Sequence, residues 1–230
     1  MEKIALNQFV AKEFYAAEAM RTLRTNILFS GADVKTIALT SAGVSDGKST
    51  VSFQLAAFLA HTGKRVLLVD ADLRNSTLKN RLQVKGPVDG LAHVLSGMTG
   101  AQDAILETDV SNLFIMFAGA KAPNSAELLG AKSFRTLMDA LKKVFDYVII
   151  DSAPLGLVVD CAMIAAVVDG VLIVIDTTHN SYKLIRRMKT QLEKAGGKIL
   201  GVILNRVNIK DVGGYYNKAY GYADQNAGRS

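Results

Sequence analysis

The feature that most restricts this chain's fold is a set of short, nearly continuous apolar runs at 36–40, 65–70, 147–151 and 170–176, with a fifth at 199–205 and a weaker sixth at 113–117. Runs of this length, rich in Val, Ile and Leu and lacking polar alternation, read as strands covered on both faces. Segments with apolar residues spaced like one helix face lie at 48–62, 131–145, 160–168 and 182–195. Strands that alternate with helices build parallel sheets, because a parallel neighbour is reached only through a crossover. The expectation is an α/β fold, a doubly wound, mainly parallel sheet with helices on both faces. Ligands of such sheets sit beyond the carboxyl ends of the strands, so the polar residues following each strand are the ones to read for chemistry.

The first strand runs into Ser41-Ala42-Gly43-Val44-Ser45-Asp46-Gly47-Lys48-Ser49-Thr50, which opens a helix. That is the context of a phosphate cradle: glycines turn backbone N–H groups inward, and the helix N-terminus adds partial positive charge. Lys48 is placed to reach β- and γ-phosphates, and the Ser49 hydroxyl to meet Mg²⁺. The strict pattern has Gly where Ala42 stands, so the match is to a relaxed form of the P-loop. The second strand ends in Asp70-Ala71-Asp72-Leu73-Arg74 and the 147–151 strand in Asp151-Ser152-Ala153-Pro154. Acids at spacing two point the same way if extended geometry persists. All three carboxylates are candidate oxygens for holding Mg²⁺ and for relieving an attacking hydroxyl of its proton. Each is also a residue type that caps helices and forms turns. Asp160, ahead of an apolar helix, reads as an N-cap.

Composition removes several classes. The charge of +6 is spread along the 230 residues, and no arginine-rich helix, zinc-finger spacing or aromatic-interleaved basic stretch accompanies it, so no nucleic acid is expected. The lone Cys161 sits among small apolar residues and cannot form a disulfide within the chain. His61, His93 and His179 lack ligand-like spacing. The stretch 155–175 is broken by Asp160 and Asp169, so it reads as helix plus strand and not as a bilayer span.

The relaxed phosphate loop, Val69-Asp70-Ala71-Asp72-Leu73-Arg74 and Ile150-Asp151-Ser152-Ala153-Pro154 together resemble the bacterial tyrosine kinases, the BY-kinases, whose motifs are named Walker A, A′ and B. The likeness runs through 90–97 and 123–129 and covers most of residues 18–222. The resemblance implies a P-loop kinase that transfers phosphate from ATP to protein tyrosine in capsular or exopolysaccharide synthesis and export. By it Lys48 binds phosphates, Ser49 and Asp151 hold Mg²⁺, Asp70 activates the attacking tyrosine and Asp72 assists at the metal. Asn205 and Arg206 match the family's region near the adenine, although both also suit the end of a strand. Glu18, Arg21 and Arg24, on a helix expected over 12–29, match an element associated with ring-like self-assembly. At spacing three they lie on adjacent helix rows. The resemblance further implies a membrane-spanning polysaccharide co-polymerase-type adaptor, a cognate tyrosine phosphatase, and a cytoplasmic chain recruited to the membrane through the adaptor. Because it starts at Met1 without a span, the chain resembles the separate type of kinase, or an excised kinase domain.

Four of seven tyrosines, Tyr215, Tyr216, Tyr220 and Tyr222, fall within a glycine-rich end and resemble the family's autophosphorylated cluster. The expected organisation is an oligomerisation segment over 1–30, a kinase core over 31–206 and a flexible tail over 207–230. Two rivals stand beside this reading. One is a partitioning ATPase of the Min and Par type, which places a lysine where Gly43 lies. The other is a nucleotide-dependent nucleic-acid binder, suggested by the charge.

Overall fold

Seven strands form one sheet in the computed structural model, which describes residues 3–178 and 181–207. They are β1 (Thr36–Ser41), β2 (Val66–Asp70), β3 (Leu106–Glu107), β4 (Leu113–Met116), β5 (Tyr147–Asp151), β6 (Gly170–Asp176) and β7 (Ile199–Asn205). Their order is β3-β4-β2-β5-β1-β6-β7, and every pairing is parallel except β3 with β4. The six runs legible in the sequence are therefore strands. β3 is not legible, since two residues carry no period.

Nine α-helices accompany the sheet among the described residues. The long ones are α1 (Phe14–Leu28), α2 (Lys48–Ala60), α7 (Lys132–Val144) and α9 (Tyr182–Lys194). Shorter ones are α3 (Leu78–Arg81), α4 (Leu91–Leu95), α5 (Ala101–Ala104), α6 (Ser125–Gly130) and α8 (Asp160–Ala165). α3 to α6 span fewer than two turns each, too little for an apolar stripe to repeat.

Successive strand residues feed opposite apolar layers, as the strand period of two requires. Ile37, Leu39, Leu68, Ile149 and Val174 pack with Leu55 and Leu59 of α2, while Ala38, Leu67, Val69, Ile150 and Ile173 pack with Phe134, Met138 and Leu192 of α7 and α9. Helices on both faces explain why the strand runs are uninterrupted. α2 is buried along most of its length because α1 lies over it. The N-terminal segment joins the same layer: Leu6 is fully buried and its N–H donates to Asp109 Oδ1 at 2.6 Å. β1, β2 and β5 lie side by side with their carboxyl ends at one edge, and the residues following them form the site.

Candidate active site

The loop between β1 and α2 is shaped by its own side chains. Asp46 Oδ2 accepts from the Gly43 N–H at 2.9 Å, and the Ser41 hydroxyl donates to the Gly43 carbonyl at 2.8 Å. Ser45 and Gly47 adopt positive φ, 66° and 92°. Gly47 is the N-cap of α2 and provides no side-chain cap, so the first N–H groups of α2 remain for an anion. A Cβ at Gly47 would lie 2.0 Å from Asn205 Nδ2. Val44 stands 63% exposed at the loop tip, Ala42 is buried, and the Thr50 hydroxyl accepts from Arg81 at 3.4 Å.

Lys48, Ser49 and Asp151 come together. The buried Lys48 Nζ donates to Asp151 Oδ1 at 2.7 Å and to Ser49 Oγ at 3.3 Å. Ser52, one helical turn after Lys48, sets its hydroxyl 3.0 Å from the same Asp151 oxygen. The i, i+4 spacing of Lys48 and Ser52 on α2 is the sequence signal for that contact.

Asp70 is the register partner of Asp151 across β2 and β5 and is fully buried. Its Oδ2 accepts from the Ser76 hydroxyl, and its Oδ1 from the Asp72 N–H at 3.2 Å. Burial, reinforced by the neighbouring Asp151 carboxylate, pushes the Asp70 carboxyl up to about 7. Desolvation favours its neutral form, and two adjacent acids resist sharing negative charge. Asp72 does not continue the strand: β2 ends at Asp70, and Asp72 Oδ1 accepts from the Asn75 N–H at 3.0 Å as a turn former.

Asp160 corrects an expectation. The N-cap of α8 is Val159, and Asp160 is fully buried, gripped by Arg74 through Nε at 2.9 Å and Nη2 at 3.1 Å. The Ser125 hydroxyl donates to it at 2.6 Å. This forked ion pair ties the loop after β2 to α8 and α6, and its hydrogen bonds push the Arg74 guanidinium pKa up.

The end of β7 reaches the phosphate loop. Asn205 Nδ2 donates to the Asp46 carbonyl at 2.8 Å, and Arg206 Nη2 to the Ser45 carbonyl at 2.8 Å. The other arm of Arg206 pairs with buried Asp176. Hydrogen bonds from Thr178, with the Arg206 guanidinium alongside, hold Asp176 at about 2. On α1, Glu18 pairs with Arg21 within the helix, while the buried Arg24 Nε has no hydrogen-bond partner among the described residues. Cys161 is fully buried, and burial pushes its thiol pKa up. Tyr215, Tyr216, Tyr220, Tyr222 and His179 lie outside the described residues.

The arrangement offers a phosphate cradle, an ammonium, and oxygen donors suited to a hard divalent cation, with a buried acid beside them. A family model described as an AAA domain matches residues 34–200. The chain is 41% identical over 210 residues to the tyrosine-protein kinase CpsD of Streptococcus agalactiae, covering 90% of this chain and 91% of that protein. The kinase domain of VpsO superposes with a TM-score of 0.79 at 34% identity, covering 84% of this chain and 95% of that one. The septum site-determining protein MinD of Pyrococcus horikoshii, in complex with Mg-ADP, gives 0.64 at 27% identity over 76% and 71% of the two chains. The partitioning-type relationship is thus one of shared fold at a greater distance. With these motifs gathered at one sheet edge and a curated kinase matching nine-tenths of its length, the chain belongs to the bacterial tyrosine kinases, ATP-dependent enzymes that phosphorylate protein tyrosines.

Proposed function

We propose that this kinase transfers the γ-phosphoryl group of ATP to Tyr215, Tyr216, Tyr220 and Tyr222 of a neighbouring subunit, and thereby regulates capsular or exopolysaccharide synthesis and export. The observation that carries the proposal is the convergence of Lys48, Ser49 and Asp151, with Lys48 Nζ 2.7 Å from Asp151, at the mouth of a loop open to phosphate.

Lys48 leaves Asp151 for the β- and γ-phosphates when nucleotide binds, an exchange of one anionic partner for another. The oxygens of Ser49 and Asp151, brought together around Lys48 Nζ, fit Mg²⁺, and Asp72 on the loop after β2 would assist there. When bound, that ion supplies neutralisation of phosphate charge. Asp70 orients the tyrosine hydroxyl and takes its proton, and the Ser76 hydroxyl holds Asp70 in place. Asn205 and Arg206 border the nucleotide and brace the phosphate loop through the carbonyls of Asp46 and Ser45.

The Glu18–Arg21 pair stands on the exposed side of α1, where a neighbouring subunit could meet it, and supports a role for residues 1–30 in self-association. Residues 31–206 form the catalytic unit and 207–230 the substrate tail in this reading. None of the described helices is long and apolar enough to cross a membrane, which is compatible with recruitment by a membrane-spanning adaptor. A cognate tyrosine phosphatase would reset the tail. Four phosphates add roughly −6 to −8. That reverses the tail's positive balance and switches assembly.

The test is phosphotyrosine mapping after incubation with Mg-ATP and the activating adaptor, beside Lys48→Met and a chain with the four tail tyrosines changed to Phe. Phosphate on inactive Lys48→Met chains mixed with active ones is the expected result. ATP hydrolysis with no phosphotyrosine would favour the partitioning ATPase.

A further inference from the structure

We propose that the outer face of α7, α8 and α9 docks on an anionic phospholipid bilayer, an anchor within this chain that needs no adaptor.

The charge that is spread along the sequence is concentrated in space. α7 carries Lys132, Arg135, Lys142 and Lys143 against Asp139. α9 carries Lys183, Arg186, Arg187, Lys189 and Lys194 against Glu193. Together the two helices hold 9 − 2 = +7, so the rest of the chain sums to 6 − 7 = −1. Both helices cover one side of the sheet, since Phe134 and Met138 of α7 belong to the same apolar layer as Met188 and Leu192 of α9. Their charged sides turn outward: Lys132, Arg135, Lys143, Lys183, Arg186 and Lys194 are exposed.

Little of this charge is neutralised internally. Lys142 pairs with Asp169 at 2.8 Å, and Lys189 with Glu193 at 3.6 Å. Lys183, Arg186, Arg187 and Lys194 are in no ion pair among the described residues. At about 100° per residue, Lys183, Arg187 and Lys194 fall within a sector of about 40° on α9. Like charges on neighbouring helix rows repel, and an anionic surface laid against them relieves that repulsion.

An apolar ridge runs between the two basic helices. α8 contacts α9, and it meets α7 through Arg135 Nη2, which donates to the Ala166 carbonyl at 3.4 Å. On α8 and the loop before it, Leu157 is 64% exposed, Val159 48% and Met163 39%. Tyr182, the first residue of α9, is 79% exposed. Leu157 and Arg187 line one cleft of about 190 Å³, so the ridge and the basic row of α9 adjoin.

This combination selects the occupant. Exposed apolar side chains rimmed by charge mark contact surfaces. On an anionic bilayer the cations meet lipid phosphates, the tips of Leu157, Val159 and Met163 enter the acyl boundary, and the Tyr182 ring lies at headgroup level. A nucleic acid or a phosphorylated peptide would engage the cations and leave the ridge in water.

The test is sedimentation of the full-length chain with vesicles of phosphatidylcholine, alone or mixed equally with phosphatidylglycerol. Binding should be at least about tenfold tighter to the anionic vesicles and should weaken as salt rises. Reversing Lys183, Arg187 and Lys194 to Glu removes three cations at about fivefold each, a loss of about 100-fold or more. Equal binding to both vesicles, or unchanged binding of the reversed chain, would overturn the proposal. The chain contains no tryptophan, so exposed Leu157→Trp places a single indole on the ridge. Its emission should shift to the blue with anionic vesicles and stay unshifted in the charge-reversed background. Unshifted emission in the otherwise unaltered chain would refute insertion of the ridge. Binding of duplex DNA or of a phosphotyrosine peptide of the tail sequence, without binding to vesicles, would assign the face to that partner instead.

Discussion

Asp70 and Asp151 stand side by side at the carboxyl ends of β2 and β5, yet their partners differ: Asp151 takes the Lys48 ammonium at 2.7 Å, and Asp70 takes the Ser76 hydroxyl. That asymmetry sets an acid paired with a cation beside a buried acid held by a hydroxyl, and the first two predictions below depend on it.

Replacing Lys48 with Met strips Asp151 of its cation while keeping most of the side-chain stem. Breaking a buried pair from one side costs about 3–5 kcal/mol. Urea unfolding of nucleotide-free protein should show a loss of that order, partly restored when Asp151→Asn is added. Phosphotransfer should be absent in both variants.

The raised Asp70 carboxyl gives a signed pH dependence. Its unfolded value is 3.8 and its folded value about 7. Between these the folded state holds more protons than the unfolded state, so stability falls as pH rises through the window. Denaturation midpoints of nucleotide-free protein should decline from about pH 4 to 7, and Asp70→Asn should flatten that decline. An unchanged slope in the Asn variant would show that another group titrates.

Gly47→Ala meets two obstacles. The φ of 92° is strained for any residue with a Cβ, at a cost of about 1–3 kcal/mol, and that Cβ falls 2.0 Å from Asn205 Nδ2. ATP binding, measured by calorimetry, should be lost or severely weakened. Adding Asn205→Ala removes the clash and leaves the φ penalty, so recovery should be partial.

Arg74→Lys tests the fork onto Asp160. Lysine cannot reproduce the two parallel bonds, so the loop carrying Asp72 loses its anchor on α8 and α6. A misplacement of about 1 Å near reacting groups costs up to about 100-fold. Steady-state assays should show lower kcat with nucleotide affinity little changed. Arg74→Ala should also lower stability, because it leaves the fully buried Asp160 without its cation.

The six strands and the four longer helices were legible because each is long enough to display its period or its uninterrupted apolar character, and the short α8 was legible as an apolar segment. Lys48, Ser49, Asp70 and Asp151 were legible because a strand, a loop and a helix in that order leave few positions for a phosphate site. Asp160 was misread because, from sequence alone, an acid before a helix satisfies a local cap as well as a distant partner. It proved to face a distant partner, Arg74. Ser76 and Ser125 gave no signal, since a lone serine acquires meaning from what it faces.

The sequence by itself determined the layered α/β architecture and the residues offered to phosphate, because both follow from local periodicity and from motifs contiguous in the chain. Tertiary structure decided which acid receives Lys48, that Arg74 holds Asp160 across 86 residues, and that Asn205 and Arg206 brace the phosphate loop. Those pairings depend on strand order and on the few ångströms separating side chains from remote segments, and hydrogen bonding and charge act only across such distances.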